Sequence, residues 1–239
     1  MARKKKEEAQ QTRQQLIEAA IGQFATRGVA STTLTDIADA AKVTRGAIYW
    51  HFTSKSEIFN AIWEQQLPLR DIIRDRLSLS DSDNPLLKLR EQFITALQYI
   101  AHEPRQCELL QILYHKCEFS SDMISEREIR NRIGFNDDTL RATLETCISR
   151  NIISPQVNVD LTLIVFHGFF SGIIKNWLMN NDSFNLYQQA PALVDSILAT
   201  LPVIRVSPDE DAYSSAPGNI SPRAQSASIV CALAGLPNR

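Results

Sequence analysis

The 239-residue sequence predicts an all-α protein: a three-helix N-terminal domain built on a helix-turn-helix, then a longer C-terminal helical domain. Three observations carry this. Apolar residues recur at helical spacing along most of the chain, and no stretch alternates apolar and polar residues as a half-buried strand would. Cap signals such as Thr33 with Asp36, Ser54 with Glu57, Asn84-Pro85 and Glu103-Pro104 stand where the periodicity restarts. Residues 33–52, TLTDIADAAKVTRGAIYWHF, read as two short helices joined by a tight turn.

The first helix runs from about Glu7 to Arg27, with Leu16, Ile17, Ala20, Ile21 and Phe24 inward and Gly28 placed to close it. Thr33 and Asp36 form a capping box for the second, whose Leu34, Ile37, Ala38 and Ala41 make one apolar face. Lys42 and Val43 make the turn, and Thr44 caps the third helix. Ala47, Ile48 and Phe52 return to the packed side while Arg45, Tyr49 and His51 face outward, the layout of a helix-turn-helix whose second helix enters a DNA major groove. Ser54 and Glu57 open a long fourth helix, Lys55 to Leu77, which Pro68 should kink. A fifth helix starts at Asn84-Pro85 and a sixth at Glu103-Pro104. Ser121 to Arg150 reads as a longer stretch loosened near Gly134, and Asp160–Asn180 and Leu186–Leu201 are the last two helices. The domain boundaries implied are 1–54 and 55–205. Residues 206–239, rich in Pro, Ser and Ala, read as a disordered tail.

Charge is distributed unevenly under a net −2. Residues 1–60 hold nine Lys/Arg against six Asp/Glu, net +3, and the remainder sixteen against twenty-one, net −5. Arg3, Lys4, Lys5 and Lys6 read as a basic arm ahead of the first helix, placed to meet phosphates. The four cysteines have no C-x-x-C spacing and read as reduced thiols. The basic start leads into EEAQQTRQQ rather than an apolar segment, so no signal peptide is expected. The apolar run Leu161–Ile174 is too short to span a membrane and is broken by His167 and Ser171. These features point to a soluble cytoplasmic protein that binds double-stranded DNA.

Arg45 offers a fork to guanine O6 and N7, or alternatively to a phosphate. Tyr49 and His51 present a phenol and an imidazole to the backbone, and Lys55 adds a point charge at the start of the fourth helix; such contacts fix register rather than sequence. Thr33 and Thr44 double as caps and phosphate donors, with the backbone N–H groups of their helix starts favouring an anion. Gly46 permits close approach to DNA. Trp50 is expected partly packed at the domain seam, the other place for it being against a sugar.

The same twenty residues, with the amphipathic helix before them and SKSEIF after them, resemble the DNA-binding domain of the TetR family of bacterial repressors. MARKKKEEAQQTRQQLIEAA at the start, VTRGAIYWHF, LYHKCEF at Leu113–Phe119 and GFFSGIIKNWL at Gly168–Leu178 resemble its AcrR-type branch of multidrug efflux regulators. QYIA at Gln98–Ala101 and LYQQAPALVD at Leu186–Asp195 are similar to that branch as well, so the resemblance covers about residues 1–203. It implies a homodimer on a palindromic operator, released when a small hydrophobic or cationic ligand enters the C-terminal domain and displaces the fourth helix. No cofactor and no catalysis are implied.

Aromatic side chains on helical faces of the second domain read as core on their own. The resemblance makes some of them walls of a drug pocket: Trp63, Phe93, Phe170 and Trp177, with Gln66, Gln111, Tyr114 and His167 as polar anchors. Tyr99, Phe119, Phe166 and Glu118 belong to the same set. Leu67 and Leu110 stand where several drug-binding relatives carry a polar residue, so pocket chemistry does not transfer directly. Gly168 and Gly172 let another helix approach, and with Leu193, Ile197 and Leu201 they fit either a four-helix dimer interface or intrachain packing. His115, Lys116, Cys117 and Glu118, with His102 and Cys107 upstream, have poor metal spacing, because helical neighbours diverge; core packing of Cys117 is the simpler reading and no metal is expected. Two other functions stay open: a DNA-bound protein acting through a protein partner, and an α-helical enzyme on a hydrophobic ligand. The second lacks any nucleophile–base pair, phosphate loop or metal spacing.

Overall fold

Leu16, Ile17, Ala20, Ile21 and Phe24 lie on one face of α1 (Ala2–Arg27) and are all buried. The computed structural model describes residues 2–74 and 83–204, with the backbone alone for residues 2–5. α1 begins at Ala2, not near Glu7, so Arg3–Lys6 form its first turns instead of an arm ahead of it. Nothing between Ala2 and Glu7 breaks a helix, and Lys and Arg are good helix formers. Gly28, at φ 87°, closes α1 through its N–H to the Phe24 carbonyl (2.9 Å).

α2 (Leu34–Ala40) and α3 (Arg45–His51) pack on α1 through Ile37, Ala38, Ile48 and Phe52. Their turn is a Schellman closure: Lys42 takes a left-handed φ of 56°, its N–H donates to Asp39 O and the Val43 N–H donates to Ala38 O. α4 (Lys55–Glu64) starts at Ser54, whose Oγ accepts from the Glu57 N–H (3.1 Å). The Glu57 carboxylate reaches one residue further back than a capping box would, to the Thr53 N–H (2.7 Å) and hydroxyl (2.8 Å).

The fourth helix ends at Glu64, and a separate α5 (Leu69–Arg74) follows, so Pro68 breaks the helix where a kink was expected. A helical proline would clash with the carbonyl four residues back, which belongs to Glu64, and Leu67 is pushed out of the helical region by the proline after it. The expected end at Leu77 lies outside the described residues.

α6 (Pro85–His102) and α7 (Pro104–Gln111) both carry proline in the first turn. α7 runs on into a π-helical turn, Ile112–Lys116, that the periodicity does not announce. The stretch read as one loosened helix from Ser121 is two shorter ones, α8 (Glu126–Ile133) and α9 (Asp137–Ser149), capped separately by Ser125 and Asn136. Gly134 between them is required: a Cβ there would sit 2.6 Å from the Arg130 carbonyl oxygen.

α10 (Val159–Met179) and α11 (Leu186–Leu198) complete the fold, α11 lying against α6 with Arg90 gripping Asp195 through two hydrogen bonds (2.5 and 2.8 Å). At 21 residues α10 exceeds the apolar run read from the sequence and reaches the length and hydropathy of a membrane span. Its inner face, Leu163, Phe166, Ile174, Trp177 and Leu178, is buried inside the protein. One hydrophobic core runs from Leu16 to Leu201 within a single compact unit, Met1–Arg205. The tail predicted for 206–239 lies outside the described residues.

Candidate DNA-reading face and ligand cavity

Arg45, Gly46, Tyr49 and Trp50 share one exposed side of α3, with the buried Ile48 holding the opposite side to the core. The Arg45 guanidinium lies 5.9 Å from the centre of the Tyr49 ring, so the two act as one surface. Trp50 is 73% exposed, which removes it from the domain seam; its ring meets only the edge of His51 at 4.6 Å. His51 is half-buried, and burial, with the nearby Arg13 charge, pushes its pKa below the ordinary imidazole value. Both effects favour the neutral imidazole. Arg13 itself stacks over Phe52 (4.9 Å) and ties α1 to the end of α3.

Both threonine caps are in place, with different consequences. Thr33 Oγ1 accepts from the Asp36 N–H (3.1 Å) and donates its proton to Asp36 Oδ2 (2.6 Å), so that proton is not offered to a phosphate. Thr44 Oγ1 accepts from the Ala47 N–H (3.2 Å) and keeps its own proton for an outside acceptor. The hydroxyl and N–H of Thr33, with Arg27 at 2.9 Å, hold the Asp36 carboxyl at about 2, well below the usual range. Lys55 points back: its ammonium donates to the Ala30 carbonyl (2.9 Å), bracing the loop before α2. One of its donors is thus used internally.

In the second half, a cavity of about 450 Å³ opens between α6, α7, the π-turn, α8, α9 and α10. Phe93 is its aromatic centre, with Phe170 at 4.5 Å, Phe135 at 5.0 Å and Phe166 at 5.6 Å, the last two edge-on. Of the expected lining, Phe93, Tyr114, His167 and Phe170 are on its wall, as are Phe166 and Leu110. Trp63, Gln66, Gln111 and Trp177 are not. Trp63 is fully buried against Phe59. Gln66 sits past the break of α4 and donates to Ile62 O (2.7 Å). Gln111 ends α7 off the cavity, and Trp177 lies two turns along α10 beside Phe184 and Leu186. No α4 residue reaches the wall, because α4 ends early; Leu69 of α5 is the nearest part of that segment on it.

Polar groups that sequence reading passed over gather here. Gln106 is 9% exposed, lines the cavity, and its amide makes no hydrogen bond with another described residue. Arg127, Arg130 and Asn131 stand at i, i+3 and i+4 on the exposed side of α8 and form the mouth. Arg130 lies over the Tyr114 ring (5.0 Å), pairs with Glu126 and reaches Ser171 Oγ (3.4 Å). Asp137 is taken up by His167. In a helix as charged as EREIRNRI these arginines look like plain surface. Among the described residues no three His, Cys, Asp or Glu gather as a metal site, and His115 is engaged by the Lys175 carbonyl (2.9 Å).

Two sets of hydrogen bonds run from segments beside the cavity to the loop before α2 and to α4. The Val29 N–H, in the loop between α1 and α2, donates to Lys116 O at the end of the π-turn (2.8 Å), one turn from the cavity residues Leu113 and Tyr114. Asn60 of α4 accepts from the Ile124 N–H (2.7 Å) and donates to Asp122 O (3.1 Å), clamping the lead into α8.

Residues 16–62 match the family model described as bacterial regulatory proteins, tetR family, and residues 84–203 match the C-terminal region of MAATS-type transcriptional repressors. The chain is 52% identical over 198 residues to the probable acrEF/envCD operon repressor of Escherichia coli K12, covering 83% of this chain and 90% of that one. The chain belongs to the TetR family. It is therefore a transcriptional regulator and not an enzyme. The HTH-type transcriptional regulator AcrR of Shigella flexneri is 38% identical over 199 residues, covering 83% and 93% of the two chains. Among solved structures, NalD, the secondary repressor of the MexAB-OprM multidrug efflux pump in Pseudomonas aeruginosa, superposes with a TM-score of 0.64 at 28% identity, covering 82% of this chain and 98% of that one. The AcrR-type resemblance carried by VTRGAIYWHF and LYHKCEF thus extends over most of this TetR-family chain.

Proposed function

We propose that this chain is a homodimeric repressor of a multidrug efflux operon, held on a palindromic operator by two copies of α3 and released by a small hydrophobic ligand in the cavity. The observation that carries this reading is how few residues separate the cavity from the reading head: Lys116, two residues past the wall residue Tyr114, accepts from the Val29 N–H ahead of α2, and Asn60 of α4 holds residues 122–124, the lead into the wall helix α8. The efflux repressors among its relatives support the choice of operon.

Residues 1–54 read the DNA and residues 55–205 sense and dimerise. Arg45 addresses a base, with Gly46 permitting its approach; Tyr49, Trp50, His51, Thr44 and Lys55 contact the backbone, and Thr33 positions the start of α2. Ligand release runs through the π-turn and α8, since no α4 side chain lines the cavity. π-Turns tolerate a change of register, so the Ile112–Lys116 turn is a natural place for two arrangements. The ligand must favour the arrangement that does not fit DNA, or no release follows. The hydrophobic half of the expected ligand class suits the Phe93 cluster. Among the described residues the one carboxylate on the wall, Asp137, is hydrogen-bonded to His167 through Oδ1.

The test is fluorescence anisotropy on labelled DNA from upstream of the chain's own gene, against scrambled DNA, then with hydrophobic compounds added. Palindrome-dependent binding that a compound reverses is expected. Arg45→Ala is expected to weaken specific binding by about ten-fold or more while leaving scrambled-DNA binding nearly unchanged. Equal affinity for both DNAs sinks the repressor reading.

A further inference from the structure

Resting on the reading of the cavity as the effector site, we propose that its ligand is an apolar, aromatic-sized molecule bearing one carboxylate-like anion, which Arg127 and Arg130 receive at the mouth. The wall sorts its chemistry by position. Its interior is the Phe93, Phe135, Phe166 and Phe170 cluster, which suits flat apolar rings. Two lining cations, Arg127 and Arg130, face one lining carboxylate, Asp137, which His167 already engages.

The two arginines are prepared differently. Arg130 is held by the Tyr114 ring below it, by Glu126 and by Ser171, so its fork is oriented before any ligand arrives. Arg127 closes no hydrogen bond or ion pair with another described residue, and the carboxylate of the adjacent Glu128 is committed to the Ser125 cap. One guanidinium is fixed and one is free to close, a fitting pair for a planar anion. Asn131, beside them on α8, can donate to the same group. Inside, Gln106 lines the cavity at 9% exposure and its amide makes no hydrogen bond with another described residue, so it is available to a polar atom on the ligand.

The same placement ties the charge to release. An anion drawn between Arg127 and Arg130 pulls on α8, and α8 is anchored at its lead-in to Asn60 of α4. A neutral ligand fills the aromatic floor without that pull.

The experiment is calorimetric titration of the full chain with three probes sharing one ring system: anthracene-9-carboxylate, anthracene-9-methanol and anthracene-9-methylammonium. The carboxylate is expected to bind about ten-fold tighter than the alcohol, and the ammonium weakest. Arg127→Gln/Arg130→Gln should bring the carboxylate to within about two-fold of the alcohol, with the alcohol still binding, which reports an intact cavity. Arg127→Gln alone, at an exposed residue with no partner to lose, should remove part of the preference. If the alcohol binds and the carboxylate gains nothing, or keeps its gain in the double variant, the inference falls while the effector cavity stands. If none of the three probes binds, both fall.

Discussion

At the residue scale, Asp36 links helix capping to acid stability. Its carboxylate accepts from the Thr33 N–H and hydroxyl and pairs with Arg27, and these partners hold its pKa at about 2 against an ordinary 3.8. A depressed folded value means the contribution is complete above about 3.8 and disappears as pH falls through about 2. Urea unfolding of wild type and Asp36→Asn should therefore show a stability gap that is constant down to about pH 4 and narrows below it. A gap unchanged across that window would mean the carboxylate's charge contributes nothing to the cap. This pair was legible in the sequence because capping partners stand three residues apart. Lys55 on Ala30, Arg13 over Phe52 and Gln106 on the cavity wall were not, since each depends on segments brought together by packing. Trp50 misled for a related reason: a tryptophan in an amphipathic helix usually packs, and only the position of Ile48 on the buried side puts Trp50 outward.

Elements were read best where punctuation is local and worst where it competes. The starts at Pro85 and Pro104 and the α2–α3 turn follow from caps and proline directly. At Pro68 the helical periodicity argued for continuity, and the clash with the Glu64 carbonyl decided otherwise. With α4 ending early, the cavity touches α8 and the π-turn instead of α4, and the proposed release is routed through them. In that reading Asn60, bonded to residues 122 and 124 ahead of α8, is the link between α4 and α8. Asn60→Ala removes both of its hydrogen bonds to residues 122–124 at a half-buried position, so the fold should survive with operator affinity within about three-fold of wild type. Coupling should not survive: saturating ligand should shift operator affinity far less than in wild type, and, by reciprocity, operator should shift ligand affinity equally little. A variant that still releases DNA as wild type does would leave the Val29–Lys116 bond as the sufficient path.

At the scale of the whole molecule, the sequence carried the two-part all-α plan because the reading motif is contiguous, whereas the cavity is assembled from seven elements and its mouth from a helix that reads as plain surface. The dimer face divides similarly. Ile197 and Leu201, expected to meet a partner, are buried within the chain at 3% and 2% exposure, packed where α11 lies against α6. What α10 leaves open is a stripe of Leu161, Ile164, Gly168 and Gly172 at helical spacing, continued by the exposed Lys175 and Met179; an added Cβ at either glycine meets nothing within 4 Å, and Ile164 is 68% exposed. An apolar stripe with two bare backbone positions suits close antiparallel approach of the same helix from a second copy, which places like residues against each other across a two-fold axis. Ile164→Glu would set two carboxylates facing one another in that seam without touching the core that holds the monomer together. The variant is expected to sediment as a monomer with the thermal transition of its reading domain retained, and to lose about a hundred-fold or more in affinity for a palindromic operator, because the second half-site is no longer engaged intramolecularly. Affinity for a single half-site should be nearly unchanged. A variant that remains dimeric, or one whose loss on half-site DNA equals its loss on the palindrome, would move the two-fold interface away from α10.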